Sequence, residues 1–382
     1  MLPAIQVTDI SEELVYSTAM KHSKRGVAPE PNGDRGEFLQ AALYDPFSSQ
    51  LSATVLHFLT KHINLERNGR LPDEWYDISS YSTLIAQGCK LRPIGMGYSG
   101  RKLVSSVSLA AASKEIMTNF APFQLSSLVR NGSETVIHLV RKLHERYGKT
   151  HFLLQIDVAN AFNSVSRFKG LLAIARHLPQ LYTYIFRTYR SKNKLWMDAT
   201  DEQIRDHILS QEGSTQGAVD GGVFFNMAIN DTIRELNSLI KNSGGGTFVT
   251  IADDIIGCIR PEDVLPAFTL IEERFSKLNL GLNYDKSTLF SDCIETINKK
   301  DFAPSPGLQL VQRNNRGITI LGSTVSSDRS FHDEFIEKQI ADARVTLEAI
   351  TKFGVDYLQQ AIVLLKSCYV TKFSYLSRVT QP

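Results

Sequence analysis

The stretch "TFVTIADDIIGC", residues 247–258, sets two carboxylates, Asp253 and Asp254, side by side between two apolar and β-branched runs. Adjacent like charges repel, and a cation relieves that repulsion most directly. Upstream, the apolar run "HFLLQIDVANAF" leads into a third carboxylate, Asp157. Runs of this composition read as strands, which puts Asp157 at a strand end and the acidic pair at the tip of a hairpin. Were the strands antiparallel neighbours in one sheet, Asp157 would come beside Asp253, with oxygens from two strands facing a metal site. Mg²⁺ suits such a site, because it takes hard oxygen ligands and is held by one or two carboxylates plus substrate phosphates. Two such ions about 3.5–4 Å apart serve an in-line phosphoryl displacement, the chemistry of nucleotide addition. A bare Asp-Asp pair also fits a solvated turn; the strand-like flanks and the upstream Asp157 weigh against that alternative.

The elements that must position these acids follow from hydrophobic periodicity. From Glu37 to about His62 apolar residues recur at helical spacing and predict two helices. "STLIAQGCKLRPIGMG" reads as short strands around a basic turn, Leu103 to Phe120 as helix, and a further helix should start near Ser164. "EGSTQGAVDGG" is a glycine-rich loop running into a long helix that buries Phe224, Met227, Ile233, Leu236 and Ile240. Another helix covers "DVLPAFTLIEERFSKLNLGL", and "GITILGSTV" reads as one strand. Ser330 with Asp333 would cap a last helix carrying Phe335, Ile336, Ile340, Ala343 and Leu347. One flexible tract, Gly244 to Gly246, and no internal repeat are visible. The predicted class is α+β, an antiparallel sheet with helices on one face.

At 382 residues, 42% hydrophobic and 21% charged, the chain is an ordinary folded protein of two or three subdomains. A net charge of +2 is too mild to imply nucleic acid, but its distribution is informative. No acid occurs between Ile78 and Lys114, where Lys90, Arg92, Arg101 and Lys102 lie, nor between Val158 and Met197, which holds Arg167, Lys169, Arg176, Arg187, Arg190, Lys192 and Lys194. Two acid-free basic belts around an acidic pair suit a polyanion held beside metal ions. In "LYTYIFRTYRSKNK" aromatic rings alternate with cations, the pattern of single-strand binding; the rings also fit a core, which is the reading preferred for them, with template contact for the cations. The four cysteines, at 89, 258, 293 and 368, are far apart and form no CxxC pair, which supports neither a zinc knuckle nor a disulfide framework. With no signal core and no run near ~18 apolar residues, an intracellular location off the membrane is expected.

Several of these segments together resemble a known family. "LLQIDVANAFNSVSR" is similar to the first catalytic block of reverse transcriptases, "GSTQGAVDGGVFFN" to their GxxQG block, "IADD" to their metal-binding turn, "LGLNYDKS" to the lysine block, and "ITILG" to the strand that grips the primer. "AFNSVSR", "KLRPIGMGYSGRKL" and the ending "LKSCYVTKFSYLSRVTQP" look most like non-LTR (LINE-type) retrotransposon enzymes. The resemblance implies a right-hand polymerase core: an extension over 1–36, fingers over 37–150, a palm over 151–328 with a fingers return at about 164–210, and the start of a helical thumb over 329–382. It implies Asp157, Asp253 and Asp254 as ligands of two Mg²⁺ ions, or Mn²⁺, with the Val158 carbonyl on the second, and Lys286 as proton donor to pyrophosphate. Phe162 falls at the gate that excludes a 2′-hydroxyl. Gln216 and Gly217 fall at the nascent base pair, and Lys90, Arg92, Arg101 and Lys102 at the incoming triphosphate. Arg187, Arg190, Lys192, Lys194 and Gly322 would meet nucleic acid. Expected partners are an RNA template, a DNA primer, deoxynucleoside triphosphates and a separate endonuclease. Two departures stand out, Ile251 where an aromatic is usual and "GAVDGG" where proline and serine are. The rivals are an RNA-dependent RNA polymerase, which would lack GxxQG and a bulky gate, and a repurposed element protein that binds RNA without polymerising.

Overall fold

The computed structural model describes residues 7–22, 35–44, 48–76, 80–87, 90–190, 192–197, 207–241, 246–292 and 305–380. Residues 1–6 and 23–34 of the expected extension, with Gly244, Gly245, Cys89 and Cys293, lie outside the described residues. Among those described, the strands are β1 (Ser80–Gln87), β2 (Lys90–Met96), β3 (Phe152–Ile156), β4 (Val158–Ala159), β5 (Asn193–Met197), β6 (His207–Ser210), β7 (Thr247–Ile251), β8 (Asp254–Ile259), β9 (Gly281–Leu282), β10 (Thr288–Phe290), β11 (Gln312–Asn314), β12 (Ile318–Ile320) and β13 (Ser323–Val325). No helix among them is long and apolar enough to cross a membrane. By contact the chain divides into two compact units interleaved along the sequence, Met1–Leu128 with Ala159–Thr232 and Arg274–Gly281, and Val129–Val158 with Ile233–Glu273 and Leu282–Pro382.

In the first unit a four-stranded sheet has the order β2-β1-β5-β6. β1 and β2 are an antiparallel hairpin in register from Tyr81 opposite Met96 to Gln87 opposite Lys90, while β1 meets β5 in parallel. The predicted helical stretch after Gly36 resolves into Gly36–Leu43 and Ser49–Arg67, the second capped by the Ser48 hydroxyl accepting from the Leu51 N–H. The N-terminal segment is tied along that helix: the Asn64 amide accepts from the Ile10 N–H (2.8 Å) and donates to the Ile10 carbonyl (3.1 Å). The helix expected from Ser164 starts later. A single turn, Ala161–Ser164, precedes Arg167–His177, because the Ser166 hydroxyl accepts from the Lys169 N–H and so sets the true start.

In the second unit a five-stranded sheet runs β11-β10-β3-β8-β7. Its pairings are antiparallel except β10 with β11, which is parallel at one edge. β3 is central, and Phe152, Leu153, Leu154 and Ile156 are buried, as a strand covered on both faces requires. The helix Gly132–Tyr147 packs on β7 and β8. The edge strand β7 is covered by Asn237, whose amide accepts from the Phe248 N–H (2.9 Å) and donates to the Phe248 carbonyl (3.0 Å).

Two local expectations are corrected here. "GITILGSTV" is a hairpin rather than one strand, since Leu321 (φ 49°) and Gly322 (φ 75°) turn the chain between β12 and β13. The last long helix, Arg329–Gly354, is capped by Asp328, whose carboxylate accepts from the Ser330 N–H (2.8 Å), not by Ser330. Asp328 is two residues upstream and also meets Arg316 (3.1 Å), so it wins the competition for the free N–H groups. Of that helix's apolar stripe, Ala343 alone is buried.

Candidate active site

In the second unit, β3 and β8 pair antiparallel with Ile156 opposite Ile255, and β7 pairs β8 with Ile251 opposite Asp254. One step further in the β3–β8 register brings Asp157 level with Asp254, where neighbouring antiparallel Cα atoms are roughly 4.5–5.5 Å apart. Asp253 stands in the two-residue turn between β7 and β8. The first turn residue, Ala252, has φ 53°, a left-handed conformation that is costly for a residue with a Cβ. All three acids are half-buried. The electrostatics report their proximity. The Asp254 carboxyl is pushed up to about 6, first by burial, then by the Asp253 charge and then by the Asp157 charge. Each of these causes disfavours the ionised form, which is the imbalance a divalent cation removes.

Asp157 is fixed through its backbone on both sides by the "LNYDKS" loop. Its N–H donates to Ser287 Oγ (3.1 Å), its carbonyl accepts from the Asn283 N–H (2.9 Å), and Ser287 Oγ donates to the Asn283 carbonyl (2.9 Å). The sequence reading missed Ser287 and Asn283; the available signal was a serine, fully buried here, closing a polar loop. Lys286 is exposed in the same loop, and Val158 follows Asp157 with its side chain buried. Gly322 occupies the β12–β13 turn, where Tyr375 Oη donates to the neighbouring Leu321 carbonyl (2.6 Å). Among the described residues no group of three His, Cys, Asp or Glu forms a ready metal cage. The acids fit an ion whose remaining ligands come from substrate and water.

In the first unit the structure gathers a second set around the "GSTQG" loop. Phe162, on the turn Ala161–Ser164, stacks on Phe225 with centroids 4.9 Å apart. It lines a cavity of about 210 Å³ with Ile94, Thr215, Gln216 and Gly217. The Gly95 N–H donates to the Gln216 carbonyl (2.7 Å), joining β2 to the loop. Gly217 has φ 96°, and a Cβ there would lie 2.6 Å from the Gly95 carbonyl oxygen, so the close approach needs glycine. Arg101 and Lys102 line a neighbouring cavity of about 40 Å³ with Gly217, Tyr189 and Asp220. Lys90 and Arg92 lie on β2; their side chains are outside the described part.

Asp220, part of the unusual "GAVDGG", is a buried acid that the sequence reading did not single out. Burial raises its carboxyl, and the Arg101 guanidinium opposes that rise. Arg187 and Arg190 are engaged within the protein. Both pair with Asp73, Arg190 at 3.1 Å, and Arg187 also lies over the Tyr76 ring at 5.5 Å. Lys192 and Lys194 are exposed. Tyr184 and Tyr189 are core residues, which resolves the two readings of that aromatic stretch for these rings.

The model of one protein family, described as "Reverse transcriptase (RNA-dependent DNA polymerase)", matches residues 89–325, more than half of the chain. The chain belongs to the reverse transcriptase family. This reverse transcriptase is matched by no curated protein sequence. Among solved structures it is similar to telomerase from Candida tropicalis truncated from its C-terminal domain, at 12% identity and TM-score 0.44 over 65% of this chain and 53% of that one. It is also similar to telomerase from Candida albicans in complex with the TWJ fragment of telomeric RNA, at 12% identity and TM-score 0.47 over 67% and 45%. The matched region thus spans about half of those telomerase chains. For a reverse transcriptase the family match takes in the three acids, the "GSTQG" loop, Lys286 and Gly322.

Proposed function

We propose that this reverse transcriptase extends a DNA 3′ end on an RNA template with deoxynucleoside triphosphates, by two-metal nucleotidyl transfer that releases pyrophosphate. The observation carrying the reading is the pairing of β3 and β7 with β8, which sets Asp157 level with Asp254 beside the turn that holds Asp253; the raised Asp254 carboxyl agrees with that crowding. A crowded carboxylate set at the end of a central strand suits Mg²⁺, and Mn²⁺ by the same chemistry. Asp157, Asp253 and Asp254 would hold the ions with the Val158 carbonyl. When bound, the ions would supply Lewis-acid stabilisation of the attacking and leaving oxygens.

The chain's own groups divide the remaining work. Ser287 and Asn283 hold the Asp157 backbone in place. Lys286 donates a proton to the departing pyrophosphate, help worth ~10²–10⁴-fold when a lysine is so placed. Phe162 closes the sugar pocket against a 2′-hydroxyl, and Gln216 and Gly217 meet the new base pair. Lys90, Arg92, Arg101 and Lys102 contact the triphosphate, while Lys192, Lys194 and Gly322 contact template and primer. In this reading the residues 37–150, 151–328 and 329–382 serve as fingers, palm and start of a thumb, after an extension over 1–36. The lineage is that of LINE-type elements.

The test is primer extension on an RNA template with deoxy and ribo substrates, intact protein against Asp253→Asn. Extension by the intact protein with deoxynucleotides is expected. The variant should lose ~10³-fold or more, since several kcal/mol of charge stabilisation is removed. RNA binding with no extension by the intact protein would select the repurposed-protein reading. Equal use of ribonucleotides would select an RNA polymerase.

A further inference from the structure

Within the first unit, the turn after Phe162 and the loop carrying Gln216 are stitched into one piece. The Ser214 N–H donates to the Phe162 carbonyl (2.7 Å) and the Gly213 N–H to the Val165 carbonyl (2.9 Å). Gly213 has φ 69°, and a Cβ there would lie 2.2 Å from the Phe162 carbonyl oxygen, which leaves no room for another residue. Arg167 sits at this seam, 7% exposed, at the first position of the helix Arg167–His177. Its backbone N–H donates to Glu212 Oε2 (3.0 Å). Its Nε donates to the Gly213 carbonyl (2.9 Å), and one Nη to Ser210 Oγ (2.9 Å). The guanidinium lies 5.5 Å from the centre of the Tyr189 ring, which packs on Phe224 of the helix that follows the loop.

This is a poor place for a cation on stability grounds. A helix N-terminus repels positive charge, and burial strips the guanidinium of water and pushes it below its usual value. What a guanidinium offers here is shape. Its rigid fork reaches the Gly213 carbonyl and Ser210 Oγ together, which the single ammonium of lysine cannot do in a fixed direction.

We propose that Arg167 is a positioning residue for substrate selection: by clamping the Ser210–Gly213 strand end against the turn after Phe162, it fixes Phe162 and Gln216 in one geometry and so sets nucleotide affinity and sugar discrimination. The inference rests on the polymerase reading and deepens it. A displaced gate admits a 2′-hydroxyl and a displaced Gln216 weakens the new base pair, whereas ion binding at the three acids stays intact.

The experiment compares the wild type with Arg167→Lys, Arg167→Gln, Ser210→Ala and a control, Lys142→Gln, which removes an exposed partner of Glu145. Single-nucleotide incorporation on an RNA template gives kcat and KM for deoxy and ribo substrates, and amide hydrogen exchange follows the peptides over 162–166 and 213–216. In Arg167→Lys the deoxynucleotide KM should rise about tenfold and the deoxy-to-ribo ratio of kcat/KM fall about tenfold, with kcat changed little, because small misplacements act on substrate fit. Both peptides should exchange faster together. Ser210→Ala, which keeps the guanidinium and removes one acceptor, should move in the same direction by less, and serves if Arg167→Lys does not fold; the control should not move. A lowered Tm with KM and discrimination unchanged would make Arg167 merely structural and overturn the proposal. No extension by the wild type would overturn the polymerase reading and this inference with it, while extension with an invariant ratio overturns the inference alone.

Discussion

At Asp254 the unfolded carboxyl titrates near ~3.9, and the folded one at about 6. The folded state therefore binds the proton more tightly. The stabilisation that comes with protonation is complete below about pH 4 and lost as pH rises through about 6, leaving an ionised, crowded carboxylate that costs ~3 kcal/mol at neutral pH. Asp254→Asn should accordingly raise the Tm at pH 7.5 and change it little at pH 4. Millimolar Mg²⁺ should raise the wild-type Tm at pH 7.5 and have less effect on the variant. A pH-independent difference in differential scanning fluorimetry would argue against crowding as the cause. Phe162 makes a different kind of prediction, because its ring fills a pocket wall against Phe225. Phe162→Val should lower deoxy-over-ribo selectivity about tenfold or more, the scale on which missing pocket volume acts. Unchanged selectivity would remove the gate assignment.

Elements enter where a strand end has to be held still. β3 delivers Asp157, but the hydrogen bonds that fix its peptide come from the loop after β9, through Ser287 and Asn283. Ser287→Ala should cost ~1–3 kcal/mol in urea unfolding, since it leaves the Asp157 N–H without its acceptor. Its primer-extension rate should fall further than that stability loss explains. A variant of native activity would show that β3 alone sets Asp157. Strands and helices themselves were legible from period and capping: "HFLLQID", "TFVTIA" and the stretch after "VDGG" each carry their own pattern. The boundaries that failed were decided by single side chains. Asp328 outcompetes Ser330 at a helix start, and Leu321 with Gly322 folds an apparent strand in two. Neither preference shows in an apolar period.

Over the whole molecule a net charge of +2 means that nucleic-acid affinity must come from local clusters. Arg187 and Arg190 are paired with Asp73, and Lys192 and Lys194 are exposed on the same belt. Replacing both lysines by glutamine should reduce the slope of log K against log salt for RNA binding by about 1–2. Arg187→Gln should lower the Tm and leave the slope nearly unchanged. Fluorescence anisotropy over a salt series separates the two. The sequence alone determined what is local and chemical: three acids at strand ends, a glycine loop that permits close approach, the order of strands and helices, and a resemblance that the family match bears out at the level of reverse transcriptases. Tertiary structure alone decided the β3–β8 register that puts Asp157 level with Asp254, the serine that holds Asp157, the aspartate that occupies two arginines, and the seam at Arg167. Each of those joins residues far apart in the chain. Such contacts are selected by packing and by satisfying buried hydrogen-bonding groups, and no run of neighbouring residues encodes them.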